Sequence, residues 1–264
     1  MKNRRFLPRS AGLWAASGIL AGCAVLFAFP PPRSQHIGQS LPPNPNQNTF
    51  REPVTEPVNS TLPPGLRYLA LGDSYTIGEK VKISERFPAQ LVRRLRQRGI
   101  QIDDPLIIAQ TGWTAAELSD GISAATPSGH FDLVTLLVGV NNQYRGLSQN
   151  EYRTQLRALI YRAIEFGGGE EKRVLLLSIP DWGVTPFARN FNRALIAEQI
   201  DAFNRVNHAE ASAASVRYVD ITARSREAAQ DENCFAADGL HPSGLQYASW
   251  VDGIFPEALA ALGR

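Results

Sequence analysis

Leu69-Ala70-Leu71-Gly72-Asp73-Ser74-Tyr75 is an apolar run that stops abruptly at a Gly-Asp-Ser turn. Residues 67–71 read as a short buried strand, and the tripeptide places Ser74 where a strand hands over to a helix. In open parallel α/β sheets, ligands bind outside the carboxyl ends of the strands, so this serine would face the working edge. Taken alone, Gly-Asp-Ser is equally a turn followed by a helix N-cap. The rest of the chain decides between the two.

Downstream, strand-like and helix-like segments alternate. Strands are predicted at 67–71, 106–109, 133–138, 174–178 and 216–220, each short, apolar and rich in Leu, Ile or Val, as strands buried on both faces of a parallel sheet are. Helical stripes fall between them: Phe87, Leu91 and Leu95; then Tyr152, Leu156, Leu159, Ile160 and Ala163; then Leu195, Ile196, Gln199, Ile200 and Phe203. A last helix from about Ser243 carries Leu245, Ala248, Val251 and Phe255. This alternation predicts an α/β fold over residues 65–264: one flavodoxin-like, three-layer αβα domain around a five-stranded parallel sheet.

Upstream of the domain the character changes. Residues 1–10 carry Lys2, Arg4, Arg5 and Arg9 and no acid, and residues 11–29 carry no charge. A basic start followed by an apolar stretch is a targeting segment, with the basic end left in the cytoplasm. Leu20-Ala21-Gly22-Cys23 resembles a lipoprotein signal in which Cys23 is lipidated. Residues 24–29, however, stay apolar, and the stretch is long enough to span a bilayer uncleaved. Lipoprotein signal, membrane anchor and cleaved signal peptide therefore all stand, and each puts the domain outside the cytoplasm. Residues 30–64 hold ten of the eighteen prolines and read as a disordered linker.

Composition removes several function classes. A hydrophobic content of 44% with 20% charged residues fits a globular domain. The net charge of +2 comes from the N-terminal part, since residues 1–64 hold six basic and two acidic residues and leave the domain at a formal −2. Such a domain has no footprint for nucleic acid. The two cysteines, Cys23 and Cys234, offer neither a disulfide framework nor metal-ligand spacing. No metal or other cofactor is expected, and a monomer is assumed.

Residues just after parallel strands gather at one edge. There the sequence places Ser74, Thr111-Gly112-Trp113, Gly139-Val140-Asn141-Asn142, Pro180-Asp181-Trp182-Gly183 and Ala237-Asp238-Gly239-Leu240-His241-Pro242. A hydroxyl, an amide and an Asp-x-x-His pair on one rim are the parts that acyl transfer needs. Of the four histidines only His241 lies at this edge. His36 falls in the linker, His130 before the third strand and His208 within a long helix. Asp238 can fix the imidazole tautomer so that the other nitrogen accepts the serine proton. Asp73 reads as an Asx-type turn residue, and Glu117 and Asp120 as a solvated helix face.

In order and spacing, Gly72-Asp73-Ser74-Tyr75, Gly112, Gly139-Val140-Asn141 and Asp238-Gly239-Leu240-His241-Pro242 resemble the four sequence blocks of the SGNH (GDSL-type) serine hydrolases, esterases and lipases. That resemblance implies Ser74 as nucleophile, His241 as general base and Asp238 as its orienting acid. It also implies an oxyanion hole from the Ser74 and Gly112 N–H groups and the Asn141 amide. One departure stands out: the third block usually ends in Asp, and here it is Asn142, which would loosen the site if that carboxylate locks neighbouring loops.

Trp113, Tyr144, Trp182 and Phe187, with Phe235 nearby, are candidates to line an acyl pocket or stack on a sugar. Without a lid-sized insertion the site should be open, suiting short-chain or lysophospholipid-type esters, or O-acetyl groups of polysaccharide or peptidoglycan. The partner expected is thus a small-molecule, lipid or carbohydrate ester, with membrane attachment through the N-terminal segment. A reading from another class, an idle glycan- or protein-binding domain, is favoured only by Asn142.

Overall fold

The computed structural model describes residues 65–264. The targeting segment 1–29, with Cys23, and the linker 30–64 lie outside the described residues. The chain runs β1 (Tyr68–Gly72), α1 (Ser74–Ile77), α2 (Phe87–Gln97), β2 (Leu106–Ala109), α3 (Ala115–Ala125), β3 (Leu133–Leu137), α4 (Val140–Tyr144), α5 (Gln149–Phe166), β4 (Val174–Leu177), α6 (Arg193–Ala213), β5 (Arg217–Val219), α7 (Thr222–Glu227) and α8 (Gly244–Ala261). All five strands are parallel, in the order β2-β1-β3-β4-β5. Helices α2 and α8 pack together on one face, and α3, α5 and α6 lie on the other. The expected three-layer α/β architecture is the one observed.

This strand order places the site. The chain leaves β1 towards β2 on one side and returns to add β3 on the other, so the helical connections diverge at the carboxyl ends of β1 and β3. A crevice opens at such a switch point. Ser74 begins the helix after β1, and Asn141 lies in the helix after β3.

Burial follows the sequence pattern in the central elements. Strands β1, β3 and β4 are buried throughout, as are all five residues of the stripe on α5. Three expectations need correction. Strands β2 and β5 are not covered on both faces: they are the sheet edges, and Leu106 is 43% exposed. The stripe assigned to the last helix is also displaced, because the core is met by Tyr247, Trp250, Val251, Ile254 and Ala258 while Leu245 lies outside. Phe255 is partly buried against the core and also packs beneath the Arg94 guanidinium, 4.5 Å from its ring centre. On α6, Leu195 is likewise exposed, and Ile196, Ile200 and Phe203 form the buried side. Among the described residues, no helix is long and apolar enough to cross a membrane.

The outer helices α5 and α6 are joined by charge as well as by packing. Glu210 is buried and accepts from Arg153 Nη1 at 2.8 Å and from Arg157 Nε and Nη2 at 2.8 and 3.1 Å. The Arg157 fork, aided by Arg153, holds the Glu210 carboxyl below the usual carboxylate range despite its burial. A group so depressed contributes stability above its unfolded pKa and loses it as the pH falls. Both arginines reach into solvent, which screens the pair. Glu210→Gln should therefore cost ~1 kcal/mol in denaturant unfolding at neutral pH. The difference from wild type should close as the pH drops below about 4.

Candidate active site

Ser74 opens α1, a single helical turn capped by Asp73, whose Oδ1 accepts from the Tyr75 N–H at 3.0 Å. The turn directs the serine into the switch-point crevice, where only 6% of the residue remains exposed. The loop before α8 supplies the other two groups. Asp238 Oδ1 accepts from the Leu240 and His241 N–H groups, both at 3.0 Å, closing a tight turn that sets the carboxylate beside the ring. His241 Nδ1 lies 2.6 Å from Asp238 Oδ2, and Nε2 lies 3.0 Å from Ser74 Oγ. An ionised carboxylate can only accept, so Nδ1 carries the hydrogen and Nε2 is left to accept from the serine hydroxyl. Burial pushes the Asp238 carboxyl up, but the bonds from His241 and the two turn N–H groups prevail and hold it below the usual range. The Tyr75 ring meets the imidazole edge-on at 5.8 Å and fills the space behind it.

Asn141 and Gly112 face this line across the cleft, placed by a set of bonds between α4 and residues 112–115. Gly139 enters α4 at φ +126, a left-handed backbone, and a Cβ there would lie 2.5 Å from the Tyr152 hydroxyl. Asn141 Nδ2 then donates to the Trp113 carbonyl at 2.9 Å, leaving its second hydrogen for the cleft. Asn142 Oδ1 accepts from the Ala115 N–H at 2.9 Å, and its Nδ2 donates to Gln155 Oε1 at 3.3 Å. Arg145 Nη2 donates to the Gly112 carbonyl at 2.6 Å while Nη1 reaches Glu117.

Two sequence expectations change here. Asn142 makes a tying contact of its own: it is 1% exposed, and its oxygen satisfies the first N–H of α3, which the helix itself leaves open. Glu117 is more than a solvated face, since it accepts from the Thr114 N–H and hydroxyl, closing the α3 capping box, and pairs with Arg145.

The cleft has a volume of about 210 Å³. Tyr144, Trp182 and Phe187 line it as anticipated, joined by Val140 and Leu240. Trp182 is anchored through Nε1 to Gln143 Oε1 at 2.8 Å. Its loop is held where Asp181 accepts from Arg226 Nε and the Gly183 N–H. Trp113 does not line the cleft. Its indole lies over Gly121 of α3, where a Cβ would come within 2.1 Å of the ring. Phe235 is also absent from the cleft and pairs instead with Pro242 in an isolated β-bridge. Arg145, Gln143 and Arg226 carried no signal in the sequence, because a single charged or amide residue in a loop has no period or spacing to mark it. No group of three or more His, Cys, Asp or Glu among the described residues is arranged to hold a metal.

Asp73 combines complete burial with a carboxylate oxygen, Oδ2, that has no hydrogen-bond partner among the described residues. Burial raises its pKa to about 7, opposed by the Tyr75 N–H. The folded protein then keeps a proton there that the unfolded chain releases near pH 4, so this group lowers stability as the pH rises from about 4 to 7. Asp73→Asn retains a good N-cap and should remove that slope. In chemical denaturation, the variant should gain more than about 1 kcal/mol over wild type between pH 5 and pH 8. Asn142→Leu should cost ~1–3 kcal/mol by leaving the Ala115 N–H without an acceptor, whereas Asn142→Asp keeps that acceptor and should cost about 1 kcal/mol or less.

Comparisons with known proteins bear on the family and the fold. Residues 70–248 match the model of the GDSL-like lipase/acylhydrolase family. Among solved structures, TesA superposes with a TM-score of 0.60 at 22% identity, covering 74% of this chain and 99% of its own. A variant of Axe2, an acetyl xylan esterase from Geobacillus stearothermophilus, gives 0.58 at 18% identity, covering 74% and 94%. The lipase/acylhydrolase from Enterococcus faecalis gives 0.57 at 21% identity, covering 73% and 94%. No curated protein matches the chain in sequence. With the family model spanning most of the domain and esterases sharing its fold, the chain belongs to the GDSL-like lipase/acylhydrolase family and is an ester hydrolase.

Proposed function

We propose that the protein is a serine esterase that hydrolyses carboxylic esters through an acyl-enzyme on Ser74, with His241 as general base and Asp238 as the acid that orients it. The observation that carries this reading is the unbroken line from Asp238 Oδ2 through the imidazole to Ser74 Oγ, with contacts of 2.6 and 3.0 Å, at the edge of an open cleft. Ser74 Oγ attacks the ester carbonyl as its proton passes to His241 Nε2, and Asp238 stabilises the imidazolium. The resulting oxyanion is met by the Ser74 and Gly112 N–H groups and the remaining hydrogen of Asn141 Nδ2. Collapse of this intermediate breaks the bond to the alcohol, which leaves with the proton from His241. Water then attacks the acyl-enzyme, again losing its proton to His241, and releases the carboxylic acid and free Ser74. The base must be neutral to accept the serine proton.

The open, apolar cleft walled by Val140, Tyr144, Trp182, Phe187 and Leu240 suits short-chain esters, or lysophospholipid-type esters whose chain runs on beyond it. O-acetyl groups of polysaccharide or peptidoglycan are a second reading. The small cleft favours it, and the acetyl xylan esterase among the structural relatives is in keeping with it. A location outside the cytoplasm, with attachment to a membrane, rests on the basic and apolar N-terminal segment.

A p-nitrophenyl ester series from acetyl to decanoyl tests the reaction and its range together. Wild type should turn over the shorter esters and Ser74→Ala none. Asn141→Ala should lower kcat by roughly 10²–10³-fold with little change in KM. Activity that survives in Ser74→Ala would exclude the acyl-enzyme, and activity confined to acetyl would select the deacetylase reading.

A further inference from the structure

A groove of about 1210 Å³ runs between α2 and the edge strand β2, outside the catalytic cleft and several times its volume. Its charge is unlike that of the rest of the domain. Residues 80–98 carry seven Lys or Arg and one acid, Glu85, in a domain whose formal net charge is −2. Four of these cations line the groove: Lys82, Arg86, Arg93 and Arg96. Arg96 is neutralised by Asp104 at 3.0 Å. Arg93 reaches only neutral oxygens, those of the Ser84 carbonyl and the Gln90 side chain, at 3.3 and 3.4 Å. Arg86 Nε is buried and has no acceptor among the described residues. A buried donor in that state lacks the partner such groups ordinarily have.

Besides Ser84, Gln97 and Asp104, the rest of the lining is apolar. Ala89 and Val92 face the groove from α2, Pro105 and Ile107 from the β2 side, and Ile83 stands at one end with 71% of its surface exposed. A polyanion is a poor match, because the β2 side presents apolar residues and the acid Asp104. An anionic head beside the arginines with an aliphatic body along the floor fits both walls. From Arg86 to Gln97 the floor extends about 16 Å, enough for an alkyl chain of medium length.

We propose that this groove binds an aliphatic carboxylate, with the head taken by the Arg86 and Arg93 guanidinium groups and the chain laid along Ala89, Val92 and Ile107. Guanidinium forks match a carboxylate in two-point geometry. The site is separate from Ser74, and its occupancy does not depend on which ester the cleft accepts.

Isothermal titration of the full chain with decanoate tests the proposal, with acetate as the same head without the chain and decyltrimethylammonium as the same chain with the opposite charge. Decanoate should bind at least about tenfold more tightly than either. Arg93→Glu and Ile83→Glu, both at exposed positions, should each weaken decanoate by about tenfold or more and leave p-nitrophenyl acetate hydrolysis unchanged. No decanoate binding, or equal binding of decyltrimethylammonium or acetate, would overturn the proposal. So would a decanoate affinity untouched by both substitutions, which would put the ligand in the catalytic cleft. If decanoate does not bind and Arg93→Glu turns a dimer into a monomer, the groove is a contact between copies of this chain and the proposal is wrong.

Discussion

Five strands running in one direction constrain everything else in this domain. Their carboxyl ends share one edge, so each connection must leave that edge, and the connections diverge between β1 and β3. Ser74 and Asn141 lie where they do because they begin the two diverging helices. The Asp238–His241 turn reaches the same place because the loop from β5 comes back over this edge before α8 descends. Residues 167 positions apart in sequence therefore meet at 3.0 Å.

A rim built from loops needs rigid connections, and here they are polar. Three residues of one short segment, Asn141, Asn142 and Arg145, bond to three backbone groups within residues 112–115. On the far side, Asp181 and Arg226 hold the Trp182 loop, and the Phe187 N–H donates to the Gly239 carbonyl, tying that loop to the turn carrying Asp238 and His241. Preorganised donors stabilise a developing oxyanion only if they need not move to meet it. On the proposed mechanism, these bonds supply that fixity around the cleft. Asn142 holds its junction through an amide that uses both its oxygen and its nitrogen.

Much of this was legible in the sequence, for identifiable reasons. Parallel strands leave continuous apolar runs, in the buried centre and at the half-covered edges alike, and the runs match all five strands within a residue or so at either end. The stripe on α5 was read in full because a helix packed on one side shows a clean period. The stripe on α8 was misplaced because that helix is apolar around much of its circumference, and only packing reveals that Tyr247 and Trp250, not Leu245, face the core. Ser74, Asp238 and His241 stood out as reactive side chains at strand ends. Arg145 and Glu117 did not, because their role depends on contacts between segments far apart in the chain. Trp113 was misjudged for a related reason: its place beside Gly112 is correct, but its ring turns onto Gly121 rather than into the cleft.

The central claim is that the Asp238–His241 pair makes Ser74 a nucleophile. Reaction with a fluorophosphonate, followed by peptide mapping by mass spectrometry, tests that directly, because the probe bonds only to an activated hydroxyl and needs no choice of ester. The account predicts one adduct per chain, on Ser74, formed rapidly by wild type and at a rate lower by several orders of magnitude in His241→Ala. Absence of an adduct from folded wild type, an adduct on another residue, or undiminished labelling in His241→Ala would contradict it.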